Sequence, residues 1–199
     1  MVISIHQPEH FPYMGFFQKM KACDVFVILD NVKYKKGSFQ NRNRFLNLSG
    51  NEEWFTVPVE KKATSKLIRD VTVSPDAIWR KKNKVKLMQN LKVDVTEIYE
   101  SDSLLEINMK SIKWCMQRLG ITTPLVMASE LSVVGKKSEL LANIVRSLSG
   151  SKYISGPSGR NYLEESYFDG IDVTFFSPSI ENTYSALYNI AVKQNQVLK

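Results

Sequence analysis

The chain has few thiol and imidazole side chains, which serve as nucleophiles, bases and zinc ligands in many enzymes. Its 199 residues include only two cysteines and two histidines. Cys23 and Cys115 fall in different predicted helices and do not have the spacing of metal ligands. We therefore predict no metal site, and we expect buried free thiols rather than a disulfide or a reactive cysteine.

Several motifs and segment types are also missing. The sequence contains no P-loop, no Gly-x-Gly-x-x-Gly and no Gly-x-Ser-x-Gly pattern. No apolar run approaches the roughly 18 residues of a membrane span, and the first residues lack the basic and hydrophobic segments of a secretory signal. We expect a soluble, cytoplasmic protein. Because repeats and low-complexity tracts are absent too, a single domain over residues 1–199 is the simplest organisation.

Positive charge exceeds negative charge. The chain has 27 Lys and Arg against 20 Asp and Glu, which gives a formal net charge of +7. Such an excess favours an anionic partner, for example a nucleotide sugar, a phosphate carrier, an acidic protein or nucleic acid. Nucleic acid is the least favoured, because the basic residues are interspersed with acids and no nucleic-acid motif occurs. We expect an anionic small molecule.

Alternating apolar strands and helices predict an α/β fold with a mostly parallel, Rossmann-like central sheet and helices on both faces. Its strands are predicted at residues 2–6, 25–30, 124–128, 152–155 and 172–176. A further short strand is predicted at 67–73. An antiparallel hairpin insertion is expected around Gly50, where a turn-forming cluster separates two apolar runs.

Helices are predicted between these strands. One covers Phe16 to Cys23, one starts near Pro75, and one starts at Ser101 or Asp102 and ends at Gly120. Others follow at 140–148, in a short helix that opens at 162–163, and in a tail reaching Lys199. In the helix after Pro75, lysines alternate with apolar residues. A helix with this pattern could lie on nucleic acid or on an anionic membrane surface, although an exposed face of a domain can have the same composition.

The first two predicted strands end in polar loops. The first loop carries His6, Gln7, His10 and Tyr13, and Asp30 closes the second strand. The carboxyl ends of parallel strands face one crevice. His6 and His10 have unperturbed pKa values suited to proton transfer near neutrality, so we predict one of them as a base, with Asp30 also catalytic. Either histidine could instead be a hydrogen-bonded structural residue.

A basic segment after Asp30 is the first predicted substrate-binding element. It contains Lys35, Ser38, Asn41 and Arg42. Arg42 could make a forked contact to phosphate or carboxylate, and Lys35 could act as a point charge. A solvated loop would have a similar composition.

Two more groups are predicted to contact a bound anion. They are Lys136 and Lys137 at a helix start, and the strand-to-helix turn with Ser155, Gly156, Ser158 and Gly159. The alternatives are a solvated helix cap and a tight structural turn. We expect the turn, the basic segment, Asp30 and the first loop to line one pocket.

A series of ordered motifs resembles the WbqC-like family. They are Ile-His-Gln-Pro-Glu-His-Phe-Pro-Tyr-Met-Gly from Ile5, the segments 35–43 and 54–59, and shorter matches at 119–123, 135–138 and 153–163. The resemblance implies a role in clusters that build bacterial surface polysaccharides, such as the O-antigen of lipopolysaccharide. It further implies acyl or aminoacyl (glycine) transfer to an amino sugar on a nucleotide carrier. It specifies no cofactor and no oligomeric state.

Two other functions stay open. Nucleotidyltransferases with an HxGH loop place histidine and glycine after the first strand and use a later Lys-Ser segment for phosphates; His10, Gly15 and 135–138 are similar in placement but not in spacing. A non-catalytic module that holds a sugar-linked intermediate would need the anion contacts without the base. Histidine replacement separates a module from an enzyme.

Overall fold

The computed structural model describes residues 1–197, so Leu198 and Lys199 of the predicted helical tail lie outside the described residues. The chain forms two compact units. Unit 1 consists of Met1–Gln7, Gly15–Asp30 and Thr122–Glu181, and unit 2 consists of Pro8–Met14, Asn31–Ile121 and the chain from Asn182. The single-domain assignment of residues 1–199 stays a prediction.

The regular elements are numbered in chain order. The strands are β1 (Val2–His6), β2 (Val25–Ile28), β3 (Arg42–Leu46), β4 (Glu52–Thr56), β5 (Leu125–Met127), β6 (Lys152–Ser155) and β7 (Asp172–Phe175). The helices are α1 (Met14–Lys21), α2 (Ile78–Leu91), α3 (Leu104–Leu119), α4 (Lys137–Ser147) and α5 (Ala186–Val197).

Unit 1 contains a five-stranded sheet in the order β5-β2-β1-β6-β7, with every pair parallel. Counted along the chain, the order of these strands is 3-2-1-4-5, which is the Rossmann-type arrangement. The α/β prediction is confirmed, and all five predicted strands are present; β1 and β6 have the predicted bounds, and the other three are one or two residues shorter. The sheet reverses its direction of growth between β1 and β6, which is the switch point where such sheets bind ligands.

Helices cover both faces of this sheet. Phe16 of α1 packs against His6 and Phe26, with ring centroids 4.9 and 5.0 Å apart. Gly150, just after α4, fits between Ile3 and Val145. Because Ile3 and His6 are an odd number of residues apart, their side chains point to opposite faces. The two helices therefore pack on opposite sides, as predicted.

Unit 2 contains the antiparallel hairpin of β3 and β4 together with α2, α3 and α5. The hairpin turn includes Gly50 with a φ of +77°, which confirms the hairpin predicted there. The segment 8–14 belongs to this unit: Phe11 N donates to Ser111 Oγ at 3.0 Å, and Asn43 Nδ2 donates to Phe11 O at 2.8 Å.

The predicted strand at 67–73 is wrong. Ile68–Asp70 forms a 3-10 turn, while Leu67, Thr72 and Val73 make isolated bridges to Lys33, Ser103 and Val59. Ile68, Val71 and Val73 are buried, which explains the strand-like apolar alternation. Since the segment bonds to three different partners, no continuous ladder forms.

The starts of α2 and α3 differ slightly from the predictions. Ser103, rather than Ser101 or Asp102, caps α3 by accepting from Glu106 N at 3.3 Å. Helix α2 begins at Ile78, whose N–H donates to Asp76 Oδ1 at 2.9 Å. Gly120 ends α3 in a left-handed conformation as predicted.

The short helix predicted to open at 162–163 does not form there; 3-10 turns lie on either side of these residues, at Pro157–Asn161 and Glu165–Phe168. Both cysteines are buried free thiols, as predicted. Over residues 1–197 no helix has the length and apolar character needed to cross a membrane.

Candidate functional site

In unit 1, His6 and Ser155 end adjacent parallel strands at the switch point. β1 and β6 pair in register from Val2–Lys152 to Ser4–Ile154. Their carboxyl ends therefore place His6 and Gln7 beside Ser155 and Gly156. The structure brings these four predicted residues to the edge where a Rossmann-type sheet binds its ligand.

His6 is held as a neutral imidazole. Burial, and then the nearby Lys19 ammonium, lower its pKa to about 3, while the bond to Gln7 acts in the opposite direction. His6 Nδ1 lies 3.0 Å from the Gln7 carbonyl oxygen. A carbonyl can only accept, so Nδ1 carries the hydrogen and Nε2 carries the lone pair.

Lys19 of α1 is a neighbour that sequence reasoning missed. It is buried at 3% exposure, and its Nζ donates to Ile5 O at 3.1 Å. Its ammonium also lies 5.5 Å from the centre of the Phe26 ring. In the sequence Lys19 is one basic residue in a short helix, and nothing there signals its burial.

Ser155 and Gly159 pack tightly in the turn after β6. Ser155 is fully buried, and its Oγ has no well-formed hydrogen bond. A Cβ at Gly159 would collide with the Ser155 side chain and would lie 3.2 Å from the Phe175 ring. At Gly156 a Cβ would meet nothing within 4 Å, and Ser158 is exposed. Gly159 is thus required for packing, whereas Gly156 leaves open space.

The other predicted unit 1 residues have defined structural contacts. Asp30 is buried, and its carboxylate accepts from Ser129 N at 2.9 Å and from Ser129 Oγ at 2.6 Å. These bonds tie the ends of β2 and β5 together. Lys136 and Lys137 are exposed at the start of α4, where Lys136 N donates to Glu139 Oε2 at 3.3 Å.

In unit 2, His10 lies in an aromatic core. It is fully buried, with the rings of Phe11, Phe55 and Tyr99 5.0 to 5.6 Å from its own. Its Nε2 lies 3.1 Å from the Tyr99 hydroxyl. Burial lowers its pKa to about 3, and a hydrogen bond with Asn108 opposes that shift. These contacts hold the 8–14 segment in place.

A cavity of about 370 Å³ in unit 2 contains part of the predicted basic segment. It is lined by Tyr34, Lys36, Gly37, Asn41, Arg42, Thr56, Val59, Glu60, Lys61, Ala63 and Thr64. Asn41 and Arg42 were predicted as ligand contacts. Lys35 and Ser38 do not line the cavity; Ser38 Oγ donates to Lys35 O at 2.7 Å and so shapes the loop.

Arg42 is held in place by contacts with Trp54 and Gly37. Its guanidinium lies 4.6 Å from the Trp54 ring centre and donates to Gly37 O at 2.6 Å, while the buried Nε has no partner. Lys36 and Lys61 add positive charge. The Glu60 carboxylate is held by Lys66 and by Thr72, which lower its pKa to about 2. The cavity therefore has an excess of cationic groups.

Tyr13 is partly buried and forms an isolated antiparallel bridge with Ser185. Burial, and then the charge of Glu9, raise its pKa.

Among residues 1–197, no group of three or more His, Cys, Asp and Glu side chains could hold a metal ion. Because the candidate residues divide between the two units, the prediction that they line one pocket stays a prediction.

Comparison with known proteins identifies relatives along nearly the whole chain. A family model described as the WbqC-like protein family matches residues 7–190. The uncharacterized protein Rv1507c of Mycobacterium tuberculosis is 29% identical over 201 residues, covering 94% of this chain and 86% of that protein. No solved structure matches the chain.

Proposed function

Because the chain belongs to the WbqC-like protein family, we propose that it transfers an acyl or aminoacyl group, such as glycine, to an amino sugar on a nucleotide carrier. The reaction would serve the assembly of a bacterial surface polysaccharide. The family relationship supports this pathway. The observation that carries the site is the switch point, where His6–Gln7 and Ser155–Gly156 end neighbouring strands.

His6 is the proposed base. Acyl transfer to an amine requires a group that removes a proton from the amine and donors that stabilise the oxyanion. The lone pair of His6 Nε2 can accept that proton. As the new amide bond forms, the bond between the acyl carbon and the carrier of the acyl donor breaks, and the protonated imidazole can return the proton to the departing carrier. The Ser155 hydroxyl is a buried polar group without a firm partner. The free enzyme holds the pKa of His6 low through burial and Lys19. An anionic substrate would offset the Lys19 charge and raise that pKa, so base strength would depend on substrate binding.

The unit 2 cavity is proposed to bind an anionic group such as phosphate. Arg42 would supply the forked contact, with Asn41, Lys36 and Lys61 around it. Stacking on Trp54 fixes the guanidinium plane, which lowers the entropy lost when the anion binds.

The test combines ligand binding with turnover. We expect nucleotide sugars to raise the melting temperature more than free nucleoside triphosphates or oligonucleotides, because a ligand bound only by the native state stabilises it. Acyl donors should be screened in parallel. Stabilisation by free nucleoside triphosphate but not by nucleotide sugar would favour nucleotidyl transfer, and stabilisation by oligonucleotides alone would overturn the proposal.

Substitution of His6 separates an enzyme from a binding module. We expect His6→Ala to slow turnover by about 100-fold or more, the range of general-base catalysis, while nucleotide-sugar binding is retained. Single-turnover kinetics and calorimetric titration measure the two quantities. Unchanged turnover would contradict the role of His6, and binding without any turnover in the unmodified protein would support a module.

Substitution of Arg42 tests the cavity. Arg42→Ala should weaken nucleotide-sugar binding by about tenfold or more, since a charge-assisted hydrogen bond contributes on the order of 2 kcal/mol. Arg118→Ala is the matched control, because Arg118 also lies over a tryptophan ring, at 3.7 Å from Trp114, but does not line the cavity. Equal losses in both variants would contradict anion binding by Arg42.

A further inference from the structure

The exposed face of α2 carries basic and apolar residues that have no role in the proposed transfer reaction. The helix has five basic residues and no acidic residue. Trp79, Asn83, Leu87 and Leu91 form its buried face. At spacings of three and four residues, the opposite face exposes Ile78, Lys81, Lys82, Val85, Met88 and Gln89.

Large apolar side chains on this face are open to solvent. Ile78 is 59% exposed, Val85 45% and Met88 43%. Leu48 in the hairpin turn is 78% exposed, and its N–H donates to Asn90 Oδ1 near the end of α2 at 3.2 Å. A groove of about 740 Å³ runs between α2 and β4 and includes Trp54, Ile78 and Val85. Together these residues extend the apolar surface beyond the helix.

The lysines and the arginine of α2 differ in their ion pairing. Within the described part of the chain, the ion pairs of α2 join Arg80 to Asp102 and Lys86 to Glu53. Lys81 and Lys82 have no such partner and are exposed. The face therefore carries two exposed lysines outside these ion pairs among its apolar residues.

We propose that this face binds the surface of a membrane containing anionic lipids. In that setting the lysine heads contact lipid phosphates while Ile78, Val85 and Met88 enter the interface between headgroups and chains. Lysine is depleted from the cores of protein interfaces, yet here two lysines stand among the apolar residues. Nucleic acid would pair with the lysines but offers little to aliphatic side chains, since its bases bind proteins by stacking and hydrogen bonding.

The proposed association with the membrane is peripheral, and it depends on both the lysines and the exposed apolar residues. Each lysine near an anionic bilayer strengthens binding about fivefold, which corresponds to about 1 kcal/mol. Salt screens this contribution. The apolar residues add a part that persists in salt but requires lipid. Binding should thus be absent with neutral lipid, present with anionic lipid, and weakened by salt.

Vesicle co-sedimentation of the full chain tests the proposal. We expect the protein to sediment with vesicles of phosphatidylcholine mixed with phosphatidylglycerol and to stay in solution with phosphatidylcholine alone. Lys81→Glu together with Lys82→Glu should weaken binding by at least about 25-fold, at fivefold for each lysine. Val85→Ser should weaken it by about fivefold without changing net charge.

The control variant makes the same charge change elsewhere. Lys21 and Lys113 are exposed on α1 and α3, and Lys21→Glu with Lys113→Glu should leave most vesicle binding intact. Circular dichroism confirms that each variant is folded. Met88→Trp adds a direct readout, because an indole in the interface is quenched by brominated lipids.

Three results would overturn the proposal. The first is an equal loss of binding in the two double-charge variants, which would indicate a non-specific effect of net charge. The second is the absence of lipid quenching at residue 88. The third is binding to an oligonucleotide or to polyglutamate without binding to anionic vesicles, which would assign the face to nucleic acid or to an acidic protein.

Discussion

His6 and His10 have similarly lowered pKa values in different surroundings. Burial dominates at both residues. His10 is enclosed by aromatic rings and bonded to Tyr99, whereas His6 is partly buried at the end of β1 beside Lys19. Sequence reasoning identified both as candidates because histidine type and strand position are local properties. It could not separate them, since Tyr99 and Lys19 reach them through long-range packing.

His10 should make the protein sensitive to acid. Its pKa is about 3 in the folded state, against the unperturbed histidine value of 6.5 that applies when the chain is unfolded. Between these values the unfolded state binds a proton that the native state does not, so the free energy of unfolding rises with pH and is lost as pH falls below about 6.5. The expected slope is about 1.4 kcal/mol per pH unit for each such histidine.

The prediction is measured by urea unfolding at pH 7, 6 and 5. His10→Gln should be less stable at pH 7, because it disturbs the aromatic core, but should lose less stability between pH 6.5 and 5. Carboxylates contribute mainly below that interval, since Glu60 has a pKa of about 2. Parallel slopes for the variant and the unmodified protein would contradict the role of His10.

At the scale of elements, the strands were predictable and the turns between them were not. β1, β2 and β6 are short apolar runs that end at polar residues, and the sequence shows that pattern directly. The segment 67–73 has the same alternation of apolar residues but bonds to three separate partners. In the same way, the glycines of the 155–159 turn indicated ligand access, whereas Gly159 is required by its contact with Ser155.

The two glycines of this turn make a matched pair. Gly159→Ala should reduce the free energy of unfolding by about 1 to 3 kcal/mol, the usual cost of overpacking, because its Cβ meets Ser155 and Phe175. Gly156→Ala should leave stability nearly unchanged, since its φ is −70° and the space around it is open. Chemical denaturation measures both.

The same pair distinguishes packing from ligand approach. If a substrate group contacts the backbone at the switch point, Gly156→Ala should weaken ligand binding while its melting temperature without ligand stays constant. A loss of stability in Gly156→Ala equal to that in Gly159→Ala would contradict the distinction between the two positions.

Across the whole molecule, each unit is assembled from separated stretches of chain. Helix α3 of unit 2 contacts α5, and the 8–14 segment is anchored to Asn43 and Ser111. The continuous portion Asn31–Ile121 contains neither α5 nor the 8–14 segment. Neither composition nor length reports which distant segments pack together, so these two properties could not predict how the stretches are distributed between the units.

A fragment of residues 31–121 should therefore fail to fold cooperatively. We expect broad thermal unfolding, rapid proteolysis and little dispersion of its amide resonances, because α3 would expose the surface that α5 and the 8–14 segment cover. The full chain is the control. A fragment with a sharp melting transition and native-like protection against exchange would contradict this prediction.

The position of β1 has a consequence for synthesis on the ribosome. β1 precedes the other described strands along the chain and is central in its sheet, yet its partner β6 begins at residue 152. Ser4 Oγ donates to Ile154 O across 150 residues. Until translation reaches that point, one side of β1 has no neighbour to bond with, and unsatisfied strand edges invite pairing with other chains. We therefore expect a ribosome that stalls before residue 152 to leave a nascent chain in which one edge of β1 is unpaired and open to aggregation.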